Sequence, residues 1–134
     1  MTQRDMLETS PADLAGVDIE KLAACIEACL RCAQACTACA DACLLEETVA
    51  DLTPCIRANL DCADMCEATG RLLSRFTGQN PNLARAFVDT CAAACRACAE
   101  ECGKHADMHE HCRVCAEACR ACVHACEELV ATLG

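Results

Sequence analysis

Aromatic side chains are almost missing from this chain: its 134 residues include two Phe, no Tyr and no Trp. The usual large fillers of a protein interior are therefore scarce, and Ala and Cys must line much of any core. Positive charge is also short. Eleven Lys and Arg stand against 21 Asp and Glu, for a net charge of −10, so no basic stripe exists to neutralise phosphates and nucleic acid is excluded as a partner. No run of 18 apolar residues occurs, which predicts that nothing spans a membrane. The opening MTQRDMLETSPADLAGVDIEK has no basic stretch followed by an apolar one and no twin arginine, so the expected address is cytoplasmic. Thiols are kept reduced there, and many cysteines then point to metal or redox chemistry rather than to disulfides.

Cysteine is what the chain has in excess, with 18 residues. They recur with a fixed beat. Cys25, Cys29, Cys32, Cys36, Cys39 and Cys43 are spaced 4, 3, 4, 3, 4; Cys91, Cys95, Cys98 and Cys102 are spaced 4, 3, 4; Cys112, Cys115, Cys119, Cys122 and Cys126 are spaced 3, 4, 3, 4. A 4/3 alternation marks one stripe along an α-helix, the seam that faces the interior of a bundle. Here the seam is sulfur where Leu or Ile would ordinarily sit. A weaker stripe holds Cys55, Cys62 and Cys66, with Asn59 where the beat expects another thiol. A buried Asn in that place more often serves as a satisfied core amide or a register device than as a ligand.

Capping and breaking residues divide the chain. Residues 1–17 read as a partly irregular leader, with Ser10 and Pro11 able to begin one turn of helix. The bundle domain is expected over 18–134. Asp18 can cap a helix over about 19–44, and Asp51 or Thr53 can start a second that tolerates Pro54 in its first turn and runs to about 77. Gly78 ends that helix, Asn80 caps the next, and Pro81 opens a third over about 81–103. After Gly103 and a polar run, Asp107 is the expected cap of a fourth helix over about 108–132. Short connections predict an all-α, antiparallel up-down-up-down four-helix bundle with a Cys-lined core. Leu22, Leu73, Phe76, Phe87, Val88, Leu129 and Leu133 continue the stripes at one end and predict an apolar plug. The other end gathers Cys43, Cys55, Cys102 and Cys112. The beat from Cys102 passes through His105 and His109, which marks them as candidate ligands at a mouth, with Met108 and His111 in the same segment. His124 is out of phase with Cys122 and Cys126 and is expected to face outward.

Eight CxxxC pairs can be counted, 25/29, 32/36, 39/43, 62/66, 91/95, 98/102, 115/119 and 122/126, leaving Cys55 and Cys112. Helical i and i+4 positions hold Cβ atoms about 5–6 Å apart, too far for an unstrained disulfide, which needs about 3.5–4.5 Å. A metal between the sulfurs suits the distance, since a linear S–metal–S unit spans about 4.5 Å. Cu(I), soft and tolerant of two thiolates in line, is the ion this pattern selects, with multiple ions per chain. Zinc held by two facing pairs remains an alternative, as does a thiol-redox bundle with a few low-pKa cysteines. A chaperone would hold one or two exposed ions rather than a buried ladder. Iron–sulfur ferredoxin loops of the C-x₂-C-x₂-C type are absent, and none of the five CxxC pairs is followed by His as haem attachment requires. No acid, base or nucleophile constellation emerges, so an enzyme is not expected.

The CxxxC ladders at 25–43, 91–102 and 115–126 in a four-helix pattern resemble the bacterial copper storage protein (Csp) family over about residues 18–132. The resemblance implies an antiparallel bundle whose cysteine-lined interior holds many Cu(I) ions, and a homotetramer. Without a twin-arginine signal the chain is similar to the cytosolic branch, where a polar, histidine-bearing mouth admits copper. That role falls here on His105 and His109, with Asn59 as a further contributor near a copper site.

Overall fold

A computed structural model describes residues 2–14 and 16–133. It contains α1 (Thr2–Thr9), α2 (Ile19–Leu44), a 3₁₀ turn (Val49–Leu52), α3 (Thr53–Ser74), α4 (Pro81–Gly103) and α5 (Glu110–Val130). Helices α2 to α5 form the bundle. Each packs against two others in the cycle α2, α3, α4, α5 and back to α2, and the short connections make successive helices antiparallel.

Local chemistry explains most of the boundaries. The Asp18 carboxylate accepts from the backbone N–H groups of Glu20 (2.9 Å) and Lys21 (3.3 Å), satisfying two of the donors left free at the start of α2. Asn80 Oδ1 accepts from Leu83 N at 3.3 Å, and Pro81 opens α4. Other expectations need correction. The Asp107 cap does not form. Residues 104–108 stay wound in turns, with the His105 carbonyl accepting from Met108 N (3.1 Å) and His109 N (2.9 Å). The extended cap position before α5 is therefore His109, whose side chain does not cap the helix. Helix α3 stops at Ser74 rather than near 77, because Arg75 N and Phe76 N close a tighter last turn onto Leu72 and Leu73 carbonyls, each at 3.2 Å. Gly78 then takes φ 76° within the connection, the left-handed region that favours glycine.

The leader differs most. Ser10 and Pro11 start no helix; Ser10 Oγ accepts from Ala12 N at 3.2 Å in a local turn. The helix lies earlier, at α1. It carries an Arg4–Glu8 pair one turn apart (2.7 Å), ties to α2 through an Arg4–Glu20 ion pair, and buries Leu7 against the bundle. The periodic thiol pattern gave no hint of this docking, which rests on Leu7 and the Arg4–Glu20 pair.

The interior has two compositions. At one end Leu22, Leu73, Val88 and Leu129 are fully buried, joined by Phe76 and Leu133, with Phe87 half-buried. Each such side chain contributes about 1.5–3 kcal/mol through removal from water, so this plug carries the conventional hydrophobic stabilisation. Away from it every cysteine is buried and free. By length and composition alone α2 could cross a membrane, with an 18-residue window of mean hydropathy 1.3. That hydropathy comes from Ala and Cys, and in the bundle the thiols of α2 face the other helices.

One buried group in the described residues lacks a partner. Thr69 lies on the α3 stripe, three residues beyond Cys66, at no exposure, and its Oγ1 makes no hydrogen bond. An unsatisfied buried hydroxyl costs about 1–3 kcal/mol. Thr69→Val, which keeps the branched shape and removes the hydroxyl, should therefore raise the stability of the reduced, metal-free protein by up to about 1 kcal/mol. The check is urea denaturation followed by helical circular dichroism; an unchanged or lower midpoint would count against the assignment.

Candidate metal centre

The 4/3 beat turns all four stripes inward, and the sulfurs meet across the bundle as closely as they meet along a helix. Along helices, Cys32–Cys36 (3.8 Å), Cys62–Cys66 (3.9 Å) and Cys98–Cys102 (3.9 Å) are in contact. Across them, Cys66–Cys95 (3.5 Å), Cys62–Cys95 (3.6 Å), Cys32–Cys119 (3.7 Å) and Cys55–Cys102 (3.3 Å) are at least as close. The CxxxC pair is thus not the structural unit. Four-thiol groups are: Cys29, Cys91, Cys122 and Cys126; then Cys32, Cys66, Cys95 and Cys122, one from each bundle helix; then Cys32, Cys36, Cys62 and Cys119; then Cys36, Cys98, Cys115 and Cys119. Consecutive groups share a sulfur. Cys122 joins the first to the second, Cys32 the second to the third, and Cys36 with Cys119 the third to the fourth. Cys25 extends the column toward the plug through Cys126 at 3.8 Å.

Donor chemistry and spacing suit a soft monovalent ion. With metal–sulfur bonds of about 2.3 Å, three thiolates around one ion stand about 4 Å apart and two in line about 4.5 Å. The observed contacts match the three-thiolate, bridging arrangement more closely than isolated linear pairs. Closed tetrahedral zinc sites would need four thiolates each. Consecutive groups here share sulfurs, so they cannot be filled side by side as separate four-thiolate centres, whereas thiolates that bridge neighbouring ions belong to two.

The sulfurs also shift one another's acidity in both directions. Hydrogen bonding with Cys126 and Cys29 lowers Cys25 to about 5, and hydrogen bonding led by Cys126 lowers Cys122 to about 7. Their counterparts move the other way: Cys36 and Cys95 are held protonated by hydrogen bonds led by Cys115 and Cys122. The column shares protons among sulfurs, in positions that a metal cation would take over.

Asn59 interrupts the column on α3. It is fully buried, and its Oδ1 accepts from Cys98 (3.0 Å), Cys115 (3.1 Å) and Cys102 (3.5 Å), while Nδ2 donates to Cys55 (3.7 Å). It is a satisfied core amide set directly among candidate ligands.

At the mouth, Cys39, Cys43 and Cys112 come together with His111. His111 Nδ1 lies 3.4 Å from Cys39 Sγ and 3.6 Å from Cys112 Sγ. Burial raises the thiol of Cys43 to about 12 and pushes Cys112 upward as well. For His111, burial acts against the charged ring, but hydrogen bonds to Cys39 and Glu46 outweigh it and the pKa is raised. His109 is held by other groups: Nδ1 is 3.0 Å from Glu46 Oε2 and Nε2 is 3.4 Å from Thr48 Oγ1. His105 lies 3.8 Å from Glu101, and the Met108 side chain is 72% exposed. His124 is exposed and near Glu128, as its phase predicted. Of the histidines, it is His111 that hydrogen-bonds sulfur. Glu46 and Thr48 carry no signal in the sequence, since they sit in the α2–α3 connection more than 60 residues from the histidines they contact.

A buried, thiolate-rich column with shared sulfurs and a histidine at its open end defines a multi-ion metal-binding bundle. The copper storage protein family profile matches residues 18–131, and the chain belongs to that family. The copper storage protein Ccsp from Streptomyces lividans, loaded with 10 copper equivalents, is 65% identical with a TM-score of 0.95, over 97% of this chain and 98% of that one. A structure of the cytosolic copper storage protein from Streptomyces lividans with five coppers is 66% identical with a TM-score of 0.84, over 86% and 96%. The Cu(I)-bound copper storage protein BsCsp3 of Bacillus subtilis is 37% identical with a TM-score of 0.72, over 80% and 95%. No curated protein sequence matches.

The shared sulfurs carry a testable consequence. Cys32 belongs to two four-thiol groups, so Cys32→Ala should lower copper capacity by more than one ion per chain. Counting bound copper after anaerobic loading and gel filtration checks this, and a loss of one ion or none would show that bridging through Cys32 does not occur.

Proposed function

We propose that this chain stores copper in the cytoplasm as Cu(I)–thiolate complexes along the sulfur column, with all 18 cysteines as ligands. The observation that carries the reading is the sharing of sulfurs between consecutive four-thiol groups. It gives a continuous set of bridging sites and lets an ion pass from one group to the next without losing all its thiolates. Residues 18–134 form the storage unit and 1–17 a leader docked on its outside. The cytoplasmic assignment is supported by the cytosolic Streptomyces relative.

Uptake is proposed to occur at the histidine-bearing end. The residues for it are His105 and His109, lining the approach, and His111, whose Nδ1 reaches the outermost thiols. Protons leave as copper enters, because thiolate rather than thiol is the ligand. Copper is cargo here and not a catalytic cofactor. That reading is supported by the burial of all 18 sulfurs in one shared column. Assembly as a homotetramer is part of the proposal too; exposed Leu30, Leu60 and Val114 on the outer faces are apolar surface that such contacts would cover.

Anaerobic titration of the reduced protein with Cu(I) against a chromogenic chelator should reach saturation at ten or more ions per chain. Protons should be released in step, so that apparent affinity weakens as pH falls. Saturation at one or two ions would overturn storage. His111→Ala should slow loading from a weak Cu(I) donor while lowering final capacity by no more than one ion; an unchanged loading rate would remove the mouth from the uptake path and leave storage intact.

A further inference from the structure

Glu46 stands between two imidazoles. Its Oε2 is 3.0 Å from His109 Nδ1 and 2.9 Å from His111 Nε2, and the two rings stack with centroids 5.5 Å apart at 21°. The Glu46 side chain is one-third exposed, and a solvated glutamate is ionised near neutral pH. An ionised carboxylate only accepts, so both nitrogens that face it must carry hydrogens. A neutral imidazole has one N–H, which leaves the lone pair on the opposite nitrogen of each ring. For His111 that is Nδ1, directed at Cys39 and Cys112 at 3.4 and 3.6 Å. For His109 it is Nε2, facing the hydroxyl of Thr48 at 3.4 Å. The donors and acceptors then close without remainder. Thr48 O–H donates to His109, His109 and His111 each donate to Glu46, and one hydrogen is shared between His111 Nδ1 and Cys39 Sγ.

We propose that Glu46 is the positioning residue of the mouth, holding His109 and His111 in opposite tautomers so that the lone pair of His109 faces Thr48 and that of His111 faces the thiol column. The inference rests on the reading of His111 as the imidazole that receives copper. A carboxylate behind a ligating histidine orients the ring and raises its basicity, and losing such a partner typically weakens metal binding about 10–100-fold. Glu46 does this for two rings at once. It does so from the connection between α2 and α3, so it also ties that connection to the start of α5. Glu101 has no comparable place; among the imidazoles it meets one, His105 at 3.8 Å, and its other oxygen takes Lys104 Nζ at 3.1 Å.

The experiment pairs a spectroscopic readout with a kinetic one. Protein labelled with ¹⁵N-histidine, reduced and metal-free, should show His111 with unprotonated Nδ1 and His109 with unprotonated Nε2. Glu46→Ala should mix the tautomers of both rings. Glu46→Gln, whose amide oxygen can take the place of Oε2 and accept from both rings, should keep both tautomers. Stopped-flow loading with Cu(I) should slow about tenfold in Glu46→Ala, the lower end of the range above, and less in Glu46→Gln, with helicity unchanged. Tautomers in Glu46→Ala identical to those of the natural protein would overturn the proposal. So would altered tautomers with an unchanged loading rate while His111→Ala slows it. If His111→Ala itself loads at the natural rate, the uptake reading fails, a result distinguishable because the tautomer comparison involves no copper.

Discussion

Sulfur-to-sulfur contact is the constraint on which the rest of this molecule depends. Four helices bring their thiols to 3.3–4.0 Å of one another around a common axis, and something with positive charge must sit between them once they ionise. In the reduced, metal-free state that is a shared proton; in the loaded state it is Cu(I). Thiols are apolar enough to bury when protonated, so the same column can serve as core in one state and as ligand field in the other. The scarcity of aromatic residues follows from this. A Phe or Trp at an inward position would fill the space of several sulfurs and break the column.

The division of the interior follows from that dual use. A column that exchanges its contents gives the helices no dependable hydrophobic anchor, and the leucine and valine plug at one end supplies it. The plug also closes that end, so polarity is confined to the other. There the backbone departs from regular helix, in the 3₁₀ turn before α3 and the wound segment before α5, and loops bring carboxylate, hydroxyl and imidazole groups to the outermost thiols. Stable packing and access are thus placed at opposite ends of the same bundle, about 30 Å apart for helices of this length.

Much of this was legible in the chain itself. The stripes identified the four bundle helices, and the limits of α2 and α4 agreed with the caps at Asp18 and Asn80 because those caps are local chemistry. The leader was misread because α1 depends on burying Leu7 against the bundle, and the start of α5 because turns through His105 displaced the cap. In the site, periodicity drew attention to His105 and His109, yet the imidazole bonded to sulfur is His111. Phase is meaningful only while the helix continues, and α4 ends at Gly103 before the histidines begin.

The sequence by itself determined that eighteen thiols face a common interior, since a 4/3 repeat on a helix leaves them no other shared face. It narrowed the chemistry to that of thiols, metal binding or redox, because no other side chains recur on that face in number, and the spacing favoured Cu(I). Tertiary structure decided which sulfurs group together: groups drawn from several helices and joined by shared members, rather than eight separate CxxxC pairs. It also decided that Glu46 bridges two imidazoles. Spacing along one helix specifies a direction, but distances between helices depend on their relative rotation and height in the packed bundle, and no local pattern encodes those.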